Sequence, residues 1–237
     1  MTGSDSNHKR FAASGAAGQI ESRLRATPVY VVRHGQTVSN LRHRYAGREP
    51  EPLTPEGRGE SSRMALGLWD AGLCAVWTSR IARARETAAI LSSALEIPLR
   101  DDARLDEMLL GPWEGLTEDE IGGRYPPEFQ LWNTRPDLLR LPGRETLSEL
   151  AIRVGPVLAD AASQTEPVLL VTHVAVIRVL ALTVLGLELA AYKRLPVPNL
   201  SCMKIDVASG EVTRIPSLQP VGPELDLASD SLGASPC

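Results

Sequence analysis

Two stretches of the chain share one design, and together they limit what it can fold into. Pro28 to His34 reads PVYVVRH and Pro167 to His173 reads PVLLVTH: a Pro-Val pair, an apolar run of strand-forming residues, then a histidine at the same offset. Continuous apolar runs of this length suit strands buried on both faces, as in a parallel sheet. Open sheets of that kind bind ligands beyond the carboxyl ends of their strands. Of the four histidines in the chain two end these matched strands, so the expectation is one site shared by both.

The segments around those strands alternate in kind. Thr54-Pro55-Glu56 has a helix N-cap, a first-turn proline and an early acid; Met64, Leu68 and Trp69 share one face, and Gly72 marks the stop. Residues 74–77 read as a short strand, and Ile81, Ala84, Ala88, Leu91 and Leu95 recur at helical spacing. A brief strand follows near Pro98 to Arg100. Thr117 with Glu120 and Thr146 with Glu149 are capping boxes that open two further helices. Gly122 to Gly143 reads as an irregular cover anchored by Tyr125, Phe129 and Trp132. An apolar helix is expected from Val174 to Leu185, and a hairpin turning at Ala208-Ser209-Gly210 closes the fold. Strands alternating with helices predict a three-layer α/β/α sandwich with a mostly parallel central sheet over residues 27–216. Residues 1–26 read as a disordered arm and 217–237 as an irregular tail.

The net charge of −4, from 25 basic and 29 acidic residues, argues against nucleic-acid or membrane partners. Cys74, Cys202 and Cys237 have neither metal-ligand nor disulfide-framework spacing, which fits a reducing cytoplasm. No apolar run is long enough for a signal peptide or a membrane span. A monomer or homodimer without metal or cofactor is the expectation. Among the basic residues 22 are Arg and 3 are Lys, a bias that means nothing for function until individual arginines are placed.

Several ordered motifs resemble the histidine phosphatase (phosphoglycerate mutase-like) superfamily. They are Arg33-His34-Gly35 with Asn40, Leu53-Thr54 with Gly57, and Thr78-Ser79 through Arg83-Ala84 to Thr87-Ala88. Leu105-Asp106-Glu107 before Gly111-Pro112-Trp113-Glu114-Gly115, Gly143 to Thr146, Thr172-His173 and Asn199 complete the set. The resemblance implies that His34 is a phosphorus nucleophile and that Arg33 and Arg83 clamp the phosphoryl group. It implies His173 and Asn40 as further donors and Glu107 as general acid. These residue types suit the chemistry. A neutral imidazole attacks phosphorus directly, and neighbouring arginines keep it unprotonated by like-charge repulsion. The planar guanidinium matches phosphate oxygens two at a time. Thr78 and Ser79 are expected to cap the following helix, and Asn199 to order the last strand.

Two departures from the family pattern concern the substrate. Val174-Ala175 stand where many relatives have Gly-Gly, although the backbone N–H groups at that helix start, Val174 first, still suit an anion. Arg48-Glu49-Pro50-Glu51-Pro52 replaces a segment that often holds an aromatic residue and an aspartate. The segment after Glu107, MLLGPWEGLT, looks like the phosphatase branch of the family rather than the mutase branch. The expected activity is hydrolysis of a small phosphomonoester; phosphoglycerate mutase-type transfer and a non-catalytic phospho-ligand module are the alternatives. Arg42, Arg44 and Arg48 beside the first motif point to a second anionic group on the substrate, with Arg44 as its ligand.

Overall fold

The structure, a computed structural model, describes residues 26–215. The expected arm (all but Ala26) and the tail lie outside the described residues. In chain order the elements are β1 (Val29–Arg33), α1 (Val38–Leu41), α2 (Pro55–Leu68), β2 (Ala75–Thr78), α3 (Ala82–Leu95) and β3 (Leu99–Asp101). Then come α4 (Glu118–Arg124), α5 (Pro126–Thr134), α6 (Leu147–Ala162), β4 (Val168–Thr172), α7 (Val174–Val184), β5 (Cys202–Asp206) and β6 (Glu211–Arg214).

The strands form one sheet in the order β3-β2-β4-β1-β5-β6. β3, β2, β4 and β1 pair in parallel, while β5 runs antiparallel to β1 and β6 to β5. The continuous apolar run of β4 is explained by its place, since all five of its residues are buried. Strand alternation sorts the side chains into two cores. Val32, Val76, Leu169 and Val171 meet Met64 and Leu68 of α2 and Ala84, Ala88 and Leu91 of α3. Val31 and Leu170 point the other way, into Leu150 and Val154 of α6 and Ile177 and Leu180 of α7. The result is the three-layer α/β/α arrangement. Because β1 leads to helices on one face and β4 to α7 on the other, a crevice forms where these adjacent strands end.

Helix starts follow their local chemistry. The Thr54 hydroxyl accepts the Gly57 N–H at 3.0 Å, with Pro55 in the first turn. Both capping boxes close reciprocally, Thr117 with Glu120 and Thr146 with Glu149. A third, unforeseen box joins Thr37 to Asn40 and opens α1 inside what read as a loop.

Two expectations fail here. Trp69 does not join the inner face of α2: the helix tightens into a 3-10 turn at Trp69–Ala71, and the indole is 63% exposed. The irregular cover from Gly122 to Gly143 contains α5. Its prolines, Pro126 and Pro127, occupy the first turn, where a missing N–H costs nothing, so they start a helix rather than forbid one. The aromatic anchoring is as expected, with Trp132 buried and Tyr125 and Phe129 packed against the same core.

α6 also passes through Pro156, which is exposed and lies mid-helix. An interior proline removes one helical hydrogen bond and crowds the preceding turn. Pro156→Ala should therefore raise the unfolding free energy by about 1–3 kcal/mol in urea titrations. No gain would mean that the packing of α6 on the sheet depends on the distortion.

Candidate active site

The β1–β4 register pairs Arg33 with Thr172, and the His34 N–H donates to the Thr172 carbonyl at 3.0 Å. The two strand-ending histidines therefore stand side by side, with ring centroids 5.1 Å apart. The backbone beneath them is tightly layered. A Cβ on Gly35 would come within 2.9 Å of the Gly57 carbonyl, and one on Gly57 within 2.5 Å of the Gln36 carbonyl. Only glycines let the first turn of α2 lie against the loop after His34.

His34 is held in one tautomer. Its Nδ1 lies 2.8 Å from the Gly35 carbonyl, which only accepts, so Nδ1 carries the proton and Nε2 the lone pair. Arg83 Nε donates to that lone pair at 3.2 Å. Burial first, and then the positive charges of Arg83 and Arg33, hold the His34 pKa well below the usual imidazole range, against a smaller opposing effect of the Gly35 carbonyl. The ring is neutral at neutral pH.

His173 is placed by a different chain of bonds. Its Nε2 lies 2.8 Å from Ser79 Oγ, which lies 3.0 Å from Asp106 Oδ1. A carboxylate accepts only, so the Ser79 hydroxyl donates to Asp106 and accepts from the Ile81 N–H, at 3.1 Å, and from His173 Nε2–H. His173 Nδ1 is buried without a protein partner. Burial, followed by Arg83, His34 and Arg33, also holds this pKa well below the usual range.

Arg83 is no part of a solvated basic face, being 1% exposed. Its Nη2 donates to the Ala46 and Gly47 carbonyls at 2.8 and 2.6 Å, so the loop after β1 fixes the guanidinium. Arg80 and Arg85 occupy the surface and pair with Asp106 and Asp101. Arg33 Nη1 donates to the Val197 carbonyl at 2.7 Å while its Nε is buried with no protein partner. Burial is the main reason its pKa falls to about 10; Glu107 opposes the shift, and Arg178 and Arg83 add to it.

Glu107 is buried beside these cations, and its Oε1 accepts the Met108 N–H at 2.7 Å. Burial raises its pKa, outweighing the Met108 and Ala175 N–H groups and the charges of Arg83 and Arg33. Asn40 Oδ1 accepts from the Thr37 N–H and from Asn199 Nδ2, which leaves its amide NH₂ as the uncommitted end. Asn199 also donates to the His34 and Gly35 carbonyls, so it braces β1 rather than the last strand.

A cavity of about 790 Å³ unites Arg33, His34, Asn40, Arg83, Glu107 and Val174; His173 is beside His34, ring centroids 5.1 Å apart, but is not among the lining residues. Ser79 serves the start of α3 as expected, its hydroxyl accepting the N–H of the N-cap residue Ile81 at 3.1 Å, but it also bonds Asp106 and His173, whereas the Thr78 hydroxyl turns to the Ser79 and Val171 carbonyls and caps nothing. Arg44 reaches the cavity mouth but bonds the Gly115 carbonyl and Glu120. Arg48 turns away, to the Glu107 carbonyl and toward Glu145. Sequence reasoning missed Arg178, Tyr192 and Lys193, which also line the cavity. Arg178 was within reach of it, because it lies one helical turn beyond Val174.

The sequence profile of the histidine phosphatase superfamily (branch 1) matches residues 29–215. The chain belongs to that superfamily, an enzyme family. A probable phosphoglycerate mutase of Salmonella paratyphi B is 35% identical over 185 residues, covering 75% of this chain and 84% of that protein. Among solved structures, Bacillus stearothermophilus YhfR superposes with a TM-score of 0.72 at 31% identity, covering 80% of this chain and 95% of that one. A mycobacterial glucosyl-3-phosphoglycerate phosphatase, solved with VO3, gives 0.70 at 27% identity, covering 80% and 97%.

The buried imidazoles make stability depend on pH. Both histidines stay neutral in the fold, whereas in the unfolded chain they take up protons near a pKa of about 6.5. Below that pH the unfolded state binds more protons, so stability falls with pH, by at most about 1.4 kcal/mol per pH unit for each ring. Glu107, with a raised pKa, works in the opposite direction closer to the carboxylate range. Unfolding free energies measured between about pH 7 and pH 5 should decline, and His173→Asn should flatten the decline. An equally steep profile in that variant would show that His173 takes up its proton in the fold as readily as in the unfolded chain.

Proposed function

We propose that the protein hydrolyses a small phosphomonoester through a phosphohistidine on His34. The observation that carries this reading is the state of His34: neutral, its Nε2 lone pair in the cavity, an arginine donating to it and a buried carboxyl with a raised pKa nearby. The Nε2 lone pair attacks phosphorus, the P–O bond to the leaving group breaks, and protonated Glu107 gives the departing oxygen its proton. The resulting Glu107 carboxylate then takes a proton from water as that water attacks the phosphohistidine, and inorganic phosphate leaves. Arg33, Arg83 and the Asn40 amide hold the equatorial oxygens. These groups supply the positive charge of the site, so the reaction as proposed uses no metal or cofactor. His173 Nδ1 donates to the phosphoryl group once an anionic ligand favours the imidazolium.

Names among the relatives keep a second reading in view. A probable phosphoglycerate mutase is 35% identical, and a phosphatase is among the similar structures. The sequence of the segment after Glu107, MLLGPWEGLT, which resembles the phosphatase branch, supports hydrolysis. Isomerisation of a phosphoglycerate, stimulated by the bisphosphate, would instead support the mutase.

His34→Ala should abolish phosphate release from an aryl phosphate. Glu107→Gln should slow release by about 10²–10⁴-fold, with a smaller loss for leaving groups that need no proton. Acid-sensitive phosphate trapped on the wild-type protein by rapid quenching, and absent from His34→Ala, would support the intermediate; full activity in His34→Ala would overturn it. The kcat/KM profile should show no loss near the ordinary imidazole pKa, because His34 titrates well below it. Activity should fall on the alkaline side as Glu107 loses its proton.

A further inference from the structure

Glu114 belongs to the Gly111 to Gly115 motif, to which the proposed reaction gives no task. It is partly buried, and its Oε1 accepts two successive backbone N–H groups, Arg48 at 2.6 Å and Glu49 at 3.3 Å. Converging N–H groups of this kind form a cradle for an anion, filled here by the protein's own carboxylate. The fit is close on the loop side, since a Cβ on Gly47 would overlap the Glu114 carboxylate. The two segments are also joined without that side chain: the Gly115 N–H donates to the Tyr45 carbonyl and the Tyr45 N–H to the Leu116 carbonyl, each at 2.8 Å. Attachment of the loop is thus shared with the backbone, and the carboxylate sets the path of residues 47–49 beyond Tyr45.

The other side of this loop faces the reacting groups. The Ala46 and Gly47 carbonyls accept from Arg83 Nη2 and the Glu49 carbonyl from Nη1, while Arg83 Nε donates to His34. Arg48 Nε donates to the Glu107 carbonyl at 2.8 Å, so the loop also touches the backbone of the proposed acid. A trans peptide unit is planar, with its C=O and N–H pointing in opposite directions. Holding the Arg48 N–H therefore aims the Gly47 carbonyl, which takes the shorter of the two Nη2 bonds, 2.6 Å. Hydrogen bonds in series also polarise one another, so an anion on the N–H makes that carbonyl a better acceptor.

Resting on the phosphomonoester reading, we infer that Glu114 is a positioning residue of the reaction. Through the Gly47–Arg48 peptide it fixes the Arg83 guanidinium against His34 and the phosphoryl oxygens, without touching the substrate. Standing one peptide away, the carboxylate orients Arg83 and leaves its remaining N–H capacity to the phosphate.

Glu114→Ala should lower kcat/KM for an aryl phosphate by about ten- to a hundredfold, as expected for loss of a charge-assisted hydrogen bond. Glu114→Gln keeps an acceptor oxygen and should recover part of that loss. A double-mutant cycle separates positioning from general loosening of the fold. In an Arg83→Met background Glu114→Ala should cost about twofold or less; a loss as large as in the wild-type background would overturn the inference. The Arg83 Nε–H proton gives a readout that needs no turnover. Identified in NMR spectra by its absence from Arg83→Met, it should exchange with solvent at least about tenfold faster in Glu114→Ala than in the wild-type protein. Unchanged exchange would overturn the inference. Should Glu114→Ala not fold, Gly47→Ala, whose methyl displaces the same carboxylate, takes its place in both measurements. If the wild-type protein hydrolyses no phosphomonoester, the phosphatase reading fails, and proton exchange still decides whether Glu114 positions Arg83.

Discussion

The parallel pairing of β1 with β4 is the constraint from which the rest of the site follows. One hydrogen bond, from the His34 N–H to the Thr172 carbonyl, extends the ladder past Arg33 and brings together histidines that are far apart in the chain. A slip of one residue would turn either side chain to the opposite face of the sheet. The register is protected against that slip by burial on both sides: Val31 and Leu170 feed one core, Val32 and Val171 the other. The hydrophobic layers that stabilise the fold thus also set the distance between the two imidazoles.

Placing the site in a crevice between packed layers has an electrostatic consequence. Burial disfavours charge on every group there, and the groups respond according to their chemistry. The histidines become neutral and Glu107 tends to hold its proton, whereas Arg33 and Arg83 keep their charge because guanidinium is so strong a base. One environment acting on three kinds of side chain leaves a neutral imidazole, a carboxyl with a raised pKa and two charged guanidinium groups, the set that the proposed reaction needs. The loop carbonyls of Ala46, Gly47 and Val197 hold the two guanidinium groups without neutralising them. Carboxylate partners would have held them too, but would also have competed with a phosphate.

Much of this was legible in the sequence because it is carried by local signals. Apolar runs ending in histidine marked β1 and β4, cap residues marked α2, α4 and α6, and the spacing of Ile81 to Leu95 marked α3. What was not legible depends on tertiary neighbours. Ser79 read as a residue of the helix start, and it does accept the Ile81 N–H, but that the same hydroxyl joins His173 to Asp106 depends on neighbours far away in the chain. The arginines of the loop after β1 looked like free ligands until Glu120 and Glu145 proved to be beside Arg44 and Arg48. Arg178 lies one helical turn beyond Val174, a spacing that pointed to the same face, but only the packing of Leu195 and Tyr192 shows how it is held. The helix α5 was hidden by prolines that a first turn tolerates.

The central claim is that phosphorus passes through His34 in two displacements. The measurement that bears most directly on it is the stereochemical course at phosphorus, read with a phosphomonoester made chiral by oxygen isotopes and sulfur. Two in-line displacements, the first by His34 and the second by water, predict net retention of configuration. Inversion would mean a single direct attack by water, and His34 would then not be the nucleophile.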